Sequence, residues 1–360
     1  MRLNVRLEDI DDELMFKRVH IRYGDKNFTT PVKASFKNAR RTGINEIYRS
    51  FTLETLDKCI KDESFERTKN QKLNSDRTPD INIVVSDYAS LEDIDDRHLE
   101  ALSDMQYSYS DLIVTPTWSK LLKKPKEVDE EVVDRFLNFT NRFIDNIETL
   151  NNKSILGLIP SKIPRIYLDR IISNYYCRGI TSFAIDFDGR SVASNKSWLR
   201  KFYKTISGPD YNLLEQSFVY SLNSNEGKFV KRATEIIAAD FIGTGFGVDV
   251  IGSMNHINPR FRPIPKTGMQ IAPPENSLRL FNKESYGYLR KTLTELSESG
   301  INNRTELKVQ NIQEQYSEML NIQSMLSEEN TIVPYMSTKP LLGETIDDIK
   351  KLRQDTRPRN

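Results

Sequence analysis

The regular alternation of apolar strands with helices constrains the fold of this chain more than any other feature. From about residue 81 to residue 256, short and nearly continuous apolar runs alternate with segments of helical periodicity. Strands are predicted at 81–85, 111–114, 154–159, 182–187, 217–222 and 248–251. Strands that are apolar on both faces belong to parallel sheets covered by helices on each side. The region therefore predicts an α/β domain built on a parallel sheet.

The number of strand–helix units favours a closed architecture over an open one. Six units, with one or two further strands in the first 50 residues, come to about eight strands. No glycine-rich phosphate-binding motif follows the first strands, which weakens the nucleotide-binding alternative. We therefore predict a single TIM-type (β/α)8 barrel with an N-terminal β-hairpin and C-terminal helices.

The chain divides at two composition changes. Residues 1–33 are predicted as a lead-in and hairpin that turns at Gly24-Asp25, and 34–328 as the barrel with its C-terminal helical additions. Residues 228–241 and 286–296 are also predicted to be helical. The tail 329–360 is expected to be partly disordered, because its end, KKLRQDTRPRN, has few apolar residues. An apolar stripe on the predicted helix 305–327 predicts that this face packs in the core or at an interface, so a homodimer or heterodimer formed through the C-terminal helices remains an alternative (Leu307, Ile312, Tyr316, Met319, Leu320, Met325).

Composition favours a cytoplasmic protein with no membrane segment. In the 360 residues, 38% are hydrophobic and 29% are charged, which suits a large core with a soluble surface. No apolar run approaches the ~18 residues that a membrane span needs. The N-terminus is too acidic for a secretory signal. The two cysteines, Cys59 and Cys177, form no CxxC pair that could hold zinc.

The net charge of +1 does not by itself indicate nucleic-acid binding, but basic residues are concentrated in two places. One is the run from residue 17 to residue 49, and the other is the proline-rich segment NPRFRPIPKTG. Such patches are able to neutralise phosphates, although a merely solvated basic surface is an equal alternative. The candidate nucleic-acid-binding residues are Arg40, Arg41, Arg260, Arg262 and Lys266.

Polar residues at the ends of the predicted strands are the candidate site residues. The segment 243–256 contains a short strand and ends in Ser253, Asn255 and His256. In a β/α barrel the carboxyl ends of the strands carry the active site. By the same argument three earlier strand ends contribute four candidates, namely Asp87, Asp186, Asp188 and Asn223. Asp186 and Asp188 point to one side of their strand, and their alternative role is to bind Mg²⁺.

The order of motifs resembles the tRNA-guanine transglycosylases over about residues 16 to 327. Each matching segment lies in the order that the family has: RYGDKNFTTPV at 22–32, VVSDYASL at 84–91, SILGLIPSK at 154–162, SFAIDFDG at 182–189, GVDVIGSMNH at 247–256, SLRLFNKESY at 277–286 and LKVQNIQEQYSEML at 307–320. The resemblance implies a modified β/α barrel. It also implies exchange of guanine for a 7-deazaguanine, with an aspartate as nucleophile at the sugar C1′.

The sequence departs from this family at the positions that carry its chemistry. Gly252 stands where the resemblance places the nucleophile, while Asp249 and Asp87 match the two other aspartates of the motifs. The zinc ligands of the family are absent, with Gln310 in place of the histidine, so no cofactor is expected. The DNA-modifying branch of the family fits a zinc-free, shortened member.

The resemblance therefore leads to two hypotheses of different classes. In the first, the protein is a pentosyltransferase that exchanges a guanine-type base in tRNA or DNA. Asp87 and Asp249 are then catalytic, and Asp186, Asp188, Asn223 and His256 bind substrate. In the second, catalysis has been lost, and the protein is a subunit that binds nucleic acid or a partner protein. An unrelated Mg²⁺-dependent enzyme that uses Asp186 and Asp188 is a third alternative.

Overall fold

The structure, a computed structural model, describes residues 3–123, 128–150, 153–229, 233–255 and 278–357. Within these ranges it is a mixed α/β protein with both parallel and antiparallel sheets. In chain order the strands are β1 Leu3–Ile10, β2 Lys17–Tyr23, β3 Lys26–Thr29, β4 Val32–Lys33, β5 Ile44–Phe51, β6 Ile81–Tyr88, β7 Ile113–Val114, β8 Ile155–Pro160, β9 Phe183–Asp186, β10 Val219–Leu222, β11 Glu235–Ile237, β12 Val250–Ile251, β13 Leu278–Asn282 and β14 Gly287–Lys291.

The helices alternate with the parallel strands and then dominate the C-terminal part. They are α1 Leu53–Lys61, α2 Glu63–Ser75, α3 Asp96–Tyr109, α4 Ser119–Lys123, α5 Glu130–Thr149, α6 Leu168–Cys177, α7 Lys196–Ile206, α8 Leu293–Ser297, α9 Arg304–Glu328, α10 Val333–Ser337 and α11 Gly343–Thr356. The helix α5 is amphipathic. Its apolar face is buried because Phe136, Phe143 and Ile147 recur at helical spacing.

Two parallel sheets form the centre of the fold. The larger has six strands in the order β4-β12-β10-β9-β8-β7, and all neighbours are parallel. The smaller pairs β5 with β6 in parallel, from Ile44 opposite Ile81 to Phe51 opposite Tyr88. Every residue of β6 and β9 is buried, as the apolar pattern of parallel strands predicts.

The prediction of a closed TIM-type barrel is wrong, because the described strands do not form one continuous ring of ladders. Between the two parallel sheets there are only isolated parallel bridges, Ser35 with Asn45 and Asp87 with Thr117. The breaks fall beside β4 and β7, each of which is two residues long. Since both bridges are parallel, the strands of the two sheets still end on the same side.

Two antiparallel sheets lie outside this parallel core. The predicted hairpin is confirmed as β2 and β3, and residues 3–10 add a third strand, β1, to it. The second sheet, β11-β14-β13, occupies two segments that were predicted to be helical, 228–241 and 286–296. The tail also differs from the prediction, since it is helical through Thr356 and buries Ile346, Ile349 and Leu352 in α11.

The helix α9 connects the antiparallel sheet to the rest of the fold. It contacts β4 and β13, and it buries Leu307, Ile312 and Met319 of the predicted stripe. Leu320 of that stripe is exposed. No helix in the described part of the chain is both long enough and apolar enough to cross a membrane.

Candidate functional site

Polar side chains from separate parallel strands meet where these strands end. Asp87 on β6 bridges to Thr117, whose hydroxyl donates to Oδ2 of Asp186 at 3.4 Å. Oδ1 of Asp186, at the end of β9, accepts a hydrogen bond of 3.0 Å from the side-chain amide of Asn223. Three residues that the sequence predicted for the site are therefore connected through hydrogen bonds.

Both carboxylate oxygens of Asp87 are held by neutral donors. Oδ1 accepts from the backbone N–H of Ser119 at 3.1 Å, and Oδ2 accepts from the Ser119 hydroxyl at 3.0 Å. The phenol of Tyr48 donates to Oδ2 at 3.2 Å. Asp87 is only 4% exposed, so these three donors fix the direction of its carboxylate.

Tyr48 lies among three carboxylates. Burial raises the pKa of the Tyr48 phenol, and the negative charges of Asp87, Asp186 and Glu46 raise it further. A phenol in this environment keeps its proton and acts only as a hydrogen-bond donor to the acids around it. We refer to Glu46, Tyr48, Asp87, Asp186 and Asn223 together as the carboxylate cluster.

Glu46 is the most fully hydrogen-bonded acid of the carboxylate cluster. Its oxygens accept from the phenol of Tyr220, from the backbone N–H of Ser253 at 3.1 and 3.2 Å, and from the side-chain amide of Asn255 at 2.8 Å. The residue is 7% exposed. A buried carboxylate with this many donors is oriented as rigidly as a catalytic acid needs to be.

The Glu46 carboxylate occupies the space beside Gly252. A Cβ atom at position 252 would lie 2.5 Å from Glu46 Oε2 and 2.5 Å from the carbonyl oxygen of Ser221. Position 252 must therefore be glycine in this fold. The resemblance places the nucleophilic aspartate at this position, and here the carboxylate next to it comes instead from β5.

Asn223 and Asn255 connect the two ends of the carboxylate cluster. The Asn223 side-chain oxygen accepts from the backbone N–H of Asn255 at 2.9 Å, while its amide donates to Asp186. Asn223 has a φ of 53°, a left-handed conformation that asparagine adopts more readily than most residues. This backbone geometry turns its side chain so that it links Asp186 to the residue that contacts Glu46.

Asp249 lies at the opposite end of the strands. It immediately precedes β12, and its Oδ2 accepts from the backbone N–H of Val219, the first residue of β10, at 2.7 Å. Lys17 Nζ is 3.1 Å from the same oxygen. Burial raises the pKa of Asp249 to about 6, although the Lys17 charge acts against this shift. The structure thus gives Asp249 a structural ion pair at the amino ends of the strands and does not bring it to Asp87.

Asp188 lies at the edge of the carboxylate cluster and contributes its backbone to it. Its N–H donates to Asp186 Oδ1 at 2.9 Å, and its carboxylate is 3.4 Å from Lys123 Nζ. Lys162 is close by, and burial lowers the pKa of its ammonium while Asp188 opposes this change. In the part of the chain that the structure describes, no three His, Cys, Asp or Glu side chains are grouped so that they could hold a metal ion.

The predicted basic residues are only partly described. Arg41 is exposed and pairs with Asp80 at 2.7 Å, next to the amino end of β6 and so away from the carboxylate cluster. The guanidinium of Arg40 lies 5.3 Å from the ring centroid of Tyr316 on α9. His256, Arg260, Arg262 and Lys266 lie outside the described residues.

A cavity of about 380 Å³ adjoins the carboxylate cluster, and we call it the α9 pocket. It lies between the carboxyl end of β12, the sheet of β13 and β14, and α9. Its volume falls within the range of small-molecule sites. The polar residues that line it are Lys33, Ser224, Glu226, Asp240, Ser253, Arg279, Tyr288, Arg304, Lys308, Asn311 and Gln315.

The wall of the α9 pocket contains a buried hydrogen-bonded network. Asp240 is 1% exposed and accepts from the phenol of Tyr288 at 3.0 and 3.1 Å. Lys33 donates to Asp240 at 3.1 Å, and the side-chain amide of Gln315 donates to the Tyr288 oxygen at 2.7 Å. This network joins β4, β14 and α9 and keeps the pocket walls in a fixed arrangement.

The comparisons with known protein families and with curated proteins give no match, so the function has to be inferred from the geometry of the site. The resemblance to the transglycosylases therefore stays a prediction.

Sequence reasoning missed residues on β5, which it did not recognise as a strand, and on α9, which it predicted as a helix. Glu46 and Tyr48 are two residues apart on β5, so alternation directs them to the same side of the strand. Arg304, Lys308, Asn311 and Gln315 line one cavity because their spacing of four, three and four residues places them on one face of α9. Both periodicities are present in the sequence.

Proposed function

We propose that this protein is transglycosylase-like and acts on a guanine or 7-deazaguanine base in tRNA or DNA, in the cytoplasm. One observation carries the proposal. Asp87 and Asp186 lie at the ends of two parallel strands, Glu46 comes from a third, all three surround Tyr48, and Glu46 contacts Gly252 and Ser253 in the lining of a cavity of about 380 Å³. Carboxylates at the carboxyl ends of parallel strands are the usual position of catalytic acids in α/β proteins.

The proposed reaction requires two carboxyl groups with different tasks. A Glu46 oxygen forms a bond to the sugar C1′ while the bond from C1′ to the base nitrogen breaks, and its electron pair leaves with the base. The Asp87 carboxyl group acts as the acid that gives a proton to that nitrogen. The incoming base returns a proton to Asp87, and its nitrogen then displaces Glu46 from C1′. Asp186 and Asn223 hold the base or the ribose.

A second candidate function is binding without catalysis. Both oxygens of Glu46 already accept hydrogen bonds from Tyr220, Ser253 and Asn255, and a purely structural carboxylate would also have such contacts. In this alternative, the carboxylate cluster and the neighbouring cavity recognise a base, or a subunit partner that carries one, and no bond is broken.

Base exchange is tested with labelled guanine or 7-deazaguanine and either tRNA or duplex DNA. We expect the wild-type protein to incorporate label into one polymer. Asp87→Asn removes the proton donor and should slow incorporation by about 10²- to 10⁴-fold. We expect Glu46→Gln to abolish it, because an amide is a poor nucleophile.

The matched control for both variants is Asp93→Asn. Asp93 is also an aspartate near the end of β6, but its side chain is 72% exposed and pairs only with Arg135. This variant should incorporate label at the wild-type rate. If no label enters either polymer while the base still binds, exchange is excluded and the binding function is supported.

A further inference from the structure

The α9 pocket contains a second, separate group of charged residues. Four cations and two carboxylates line it: Lys33, Arg279, Arg304 and Lys308, with Glu226 and Asp240. None of these residues belongs to the carboxylate cluster. The pocket is therefore a distinct subsite, although Gly252 and Ser253 separate it from Glu46 by only one layer of residues.

Two of the four cations are neutralised within the pocket. Lys33 pairs with Asp240 at 3.1 Å, and Arg279 lies 3.6 Å from Glu226. Asp240 also accepts from Tyr288, so both of its oxygens are engaged. Burial and the neighbouring charge of Asp240 raise the pKa of Glu226. The lining therefore has an excess of positive charge.

Lys308, like Arg304, lies outside these two pairs. It is exposed on the α9 face that lines the pocket, and its ammonium lies 4.6 Å from the ring centroid of Phe36. Among the described residues, no carboxylate lies within 4.0 Å of it. The surroundings lower the pKa of Lys308 through desolvation, while Glu46 opposes this change. An exposed ammonium that forms no ion pair with a described carboxylate gains free energy when an anion binds beside it.

We propose that the α9 pocket binds a phosphate group and that Lys308 is its principal cation. The side-chain amides of Asn311 and Gln315 lie on the same face of α9 and are held by the protein, since Asn311 donates to the Arg279 carbonyl at 2.7 Å and Gln315 to the Tyr288 oxygen, so they form part of the wall next to Lys308. A cavity of about 380 Å³ accommodates a phosphate together with part of the nucleoside that carries it. The site does not depend on base exchange, because a protein that only binds would use the same contacts.

Isothermal titration calorimetry of the full chain with pyrophosphate tests this site. We expect wild-type binding that weakens as the salt concentration rises, and a loss of about 10- to 100-fold in affinity in Lys308→Met. The control is Lys351→Met, since Lys351 is an exposed lysine on α11 outside the pocket. Its affinity should equal that of the wild type. Thermal unfolding of both variants confirms that each is folded.

Two further ligands identify the source of the phosphate. If a nucleoside 5′-monophosphate binds in a Lys308-dependent manner and the unphosphorylated nucleoside does not, the ligand is a free nucleotide. If only an oligonucleotide binds and Lys308→Met weakens it, the phosphate belongs to a polymer backbone. The site does not exist as proposed if none of these ligands binds, or if Lys308→Met binds them as tightly as the wild type.

Discussion

Replacement of Lys17 by methionine is expected to lower the free energy of unfolding by about 3–5 kcal/mol. Lys17 and Asp249 form an ion pair of 3.1 Å with side chains only 2% exposed. Lys17 also donates to the carbonyl of Ser217 at 2.8 Å. Without Lys17, the Asp249 carboxylate keeps a single hydrogen bond from Val219 and has no counter-charge in a buried environment.

The effect of Lys17→Met should depend on pH. The pKa of Asp249 is raised to about 6 in the folded protein from an ordinary value of 3.8. Between these values the folded state binds more protons than the unfolded state, so Asp249 alone makes stability fall as pH rises. Loss of Lys17 removes the charge that lowers this pKa. The deficit of the variant should therefore be larger at pH 8 than at pH 5, as measured by denaturant unfolding at both values.

The control for this prediction is the double variant Lys17→Met/Asp249→Asn. It removes both charges together, so it should be more stable at pH 8 than Lys17→Met alone. If the deficit of Lys17→Met is the same at pH 5 and at pH 8, Asp249 does not carry a buried charge. A structural role at the amino ends of the strands would then need another explanation.

The sequence predicts the parallel strands well because their signal is local. Strands β6, β8, β9 and β10 are mostly apolar and almost entirely buried, and β6, β8 and β9 are each followed by a helix that buries one face. A local pattern does not predict how many backbone hydrogen bonds each edge of a strand makes to its neighbour. Strand β7 is two residues long, and the segment that follows it is joined to β6 by the bridge of Asp87 to Thr117. The number of strands therefore suggested a closed ring, but the backbone ladders do not complete it.

The antiparallel sheet at the α9 pocket could not be predicted from local pattern alone. Strand β11 has three residues, and its partner β14 is about 50 residues away along the chain. A short apolar run of this kind is ambiguous between helix and strand until its partner is known. The helical tail is different, since Ile346, Ile349 and Leu352 recur at three-residue spacing, and this periodicity was a usable signal.

The same distinction applies to the candidate site. Asp87, Asp186 and Asn223 were predictable because each lies at the end of an apolar strand. Asp249 was assigned to the wrong end of its strand, because β12 begins only after it, at Val250. The two aspartates therefore fit a motif in sequence order without sharing a site in space.

Replacement of Gly252 by alanine is expected to lower the free energy of unfolding by about 1–3 kcal/mol. The new Cβ would lie 2.5 Å from Glu46 Oε2 and 2.5 Å from the Ser221 carbonyl oxygen, and 3.2 Å from the Tyr220 ring. The glutamate is able to move, but the Ser221 carbonyl accepts the backbone N–H of Gly252 within the sheet. Strands β10 and β12 would have to separate, and Glu46 would lose its orientation. Denaturant unfolding measures the first effect, and the base-exchange assay measures the second.

The matched control is Gly343→Ala, at the first residue of α11. A Cβ at position 343 meets no atom within 4 Å, so this variant should change stability by less than about 0.5 kcal/mol. The double variant Glu46→Ala/Gly252→Ala then separates the two contacts of position 252. If the carboxylate of Glu46 is the main obstacle, alanine at position 252 should cost less stability once Glu46 has been removed. If Gly252→Ala costs the same stability with and without Glu46, the Ser221 carbonyl alone makes glycine necessary at position 252. Glu46 would then lie beside Gly252 without occupying the space of a side chain there.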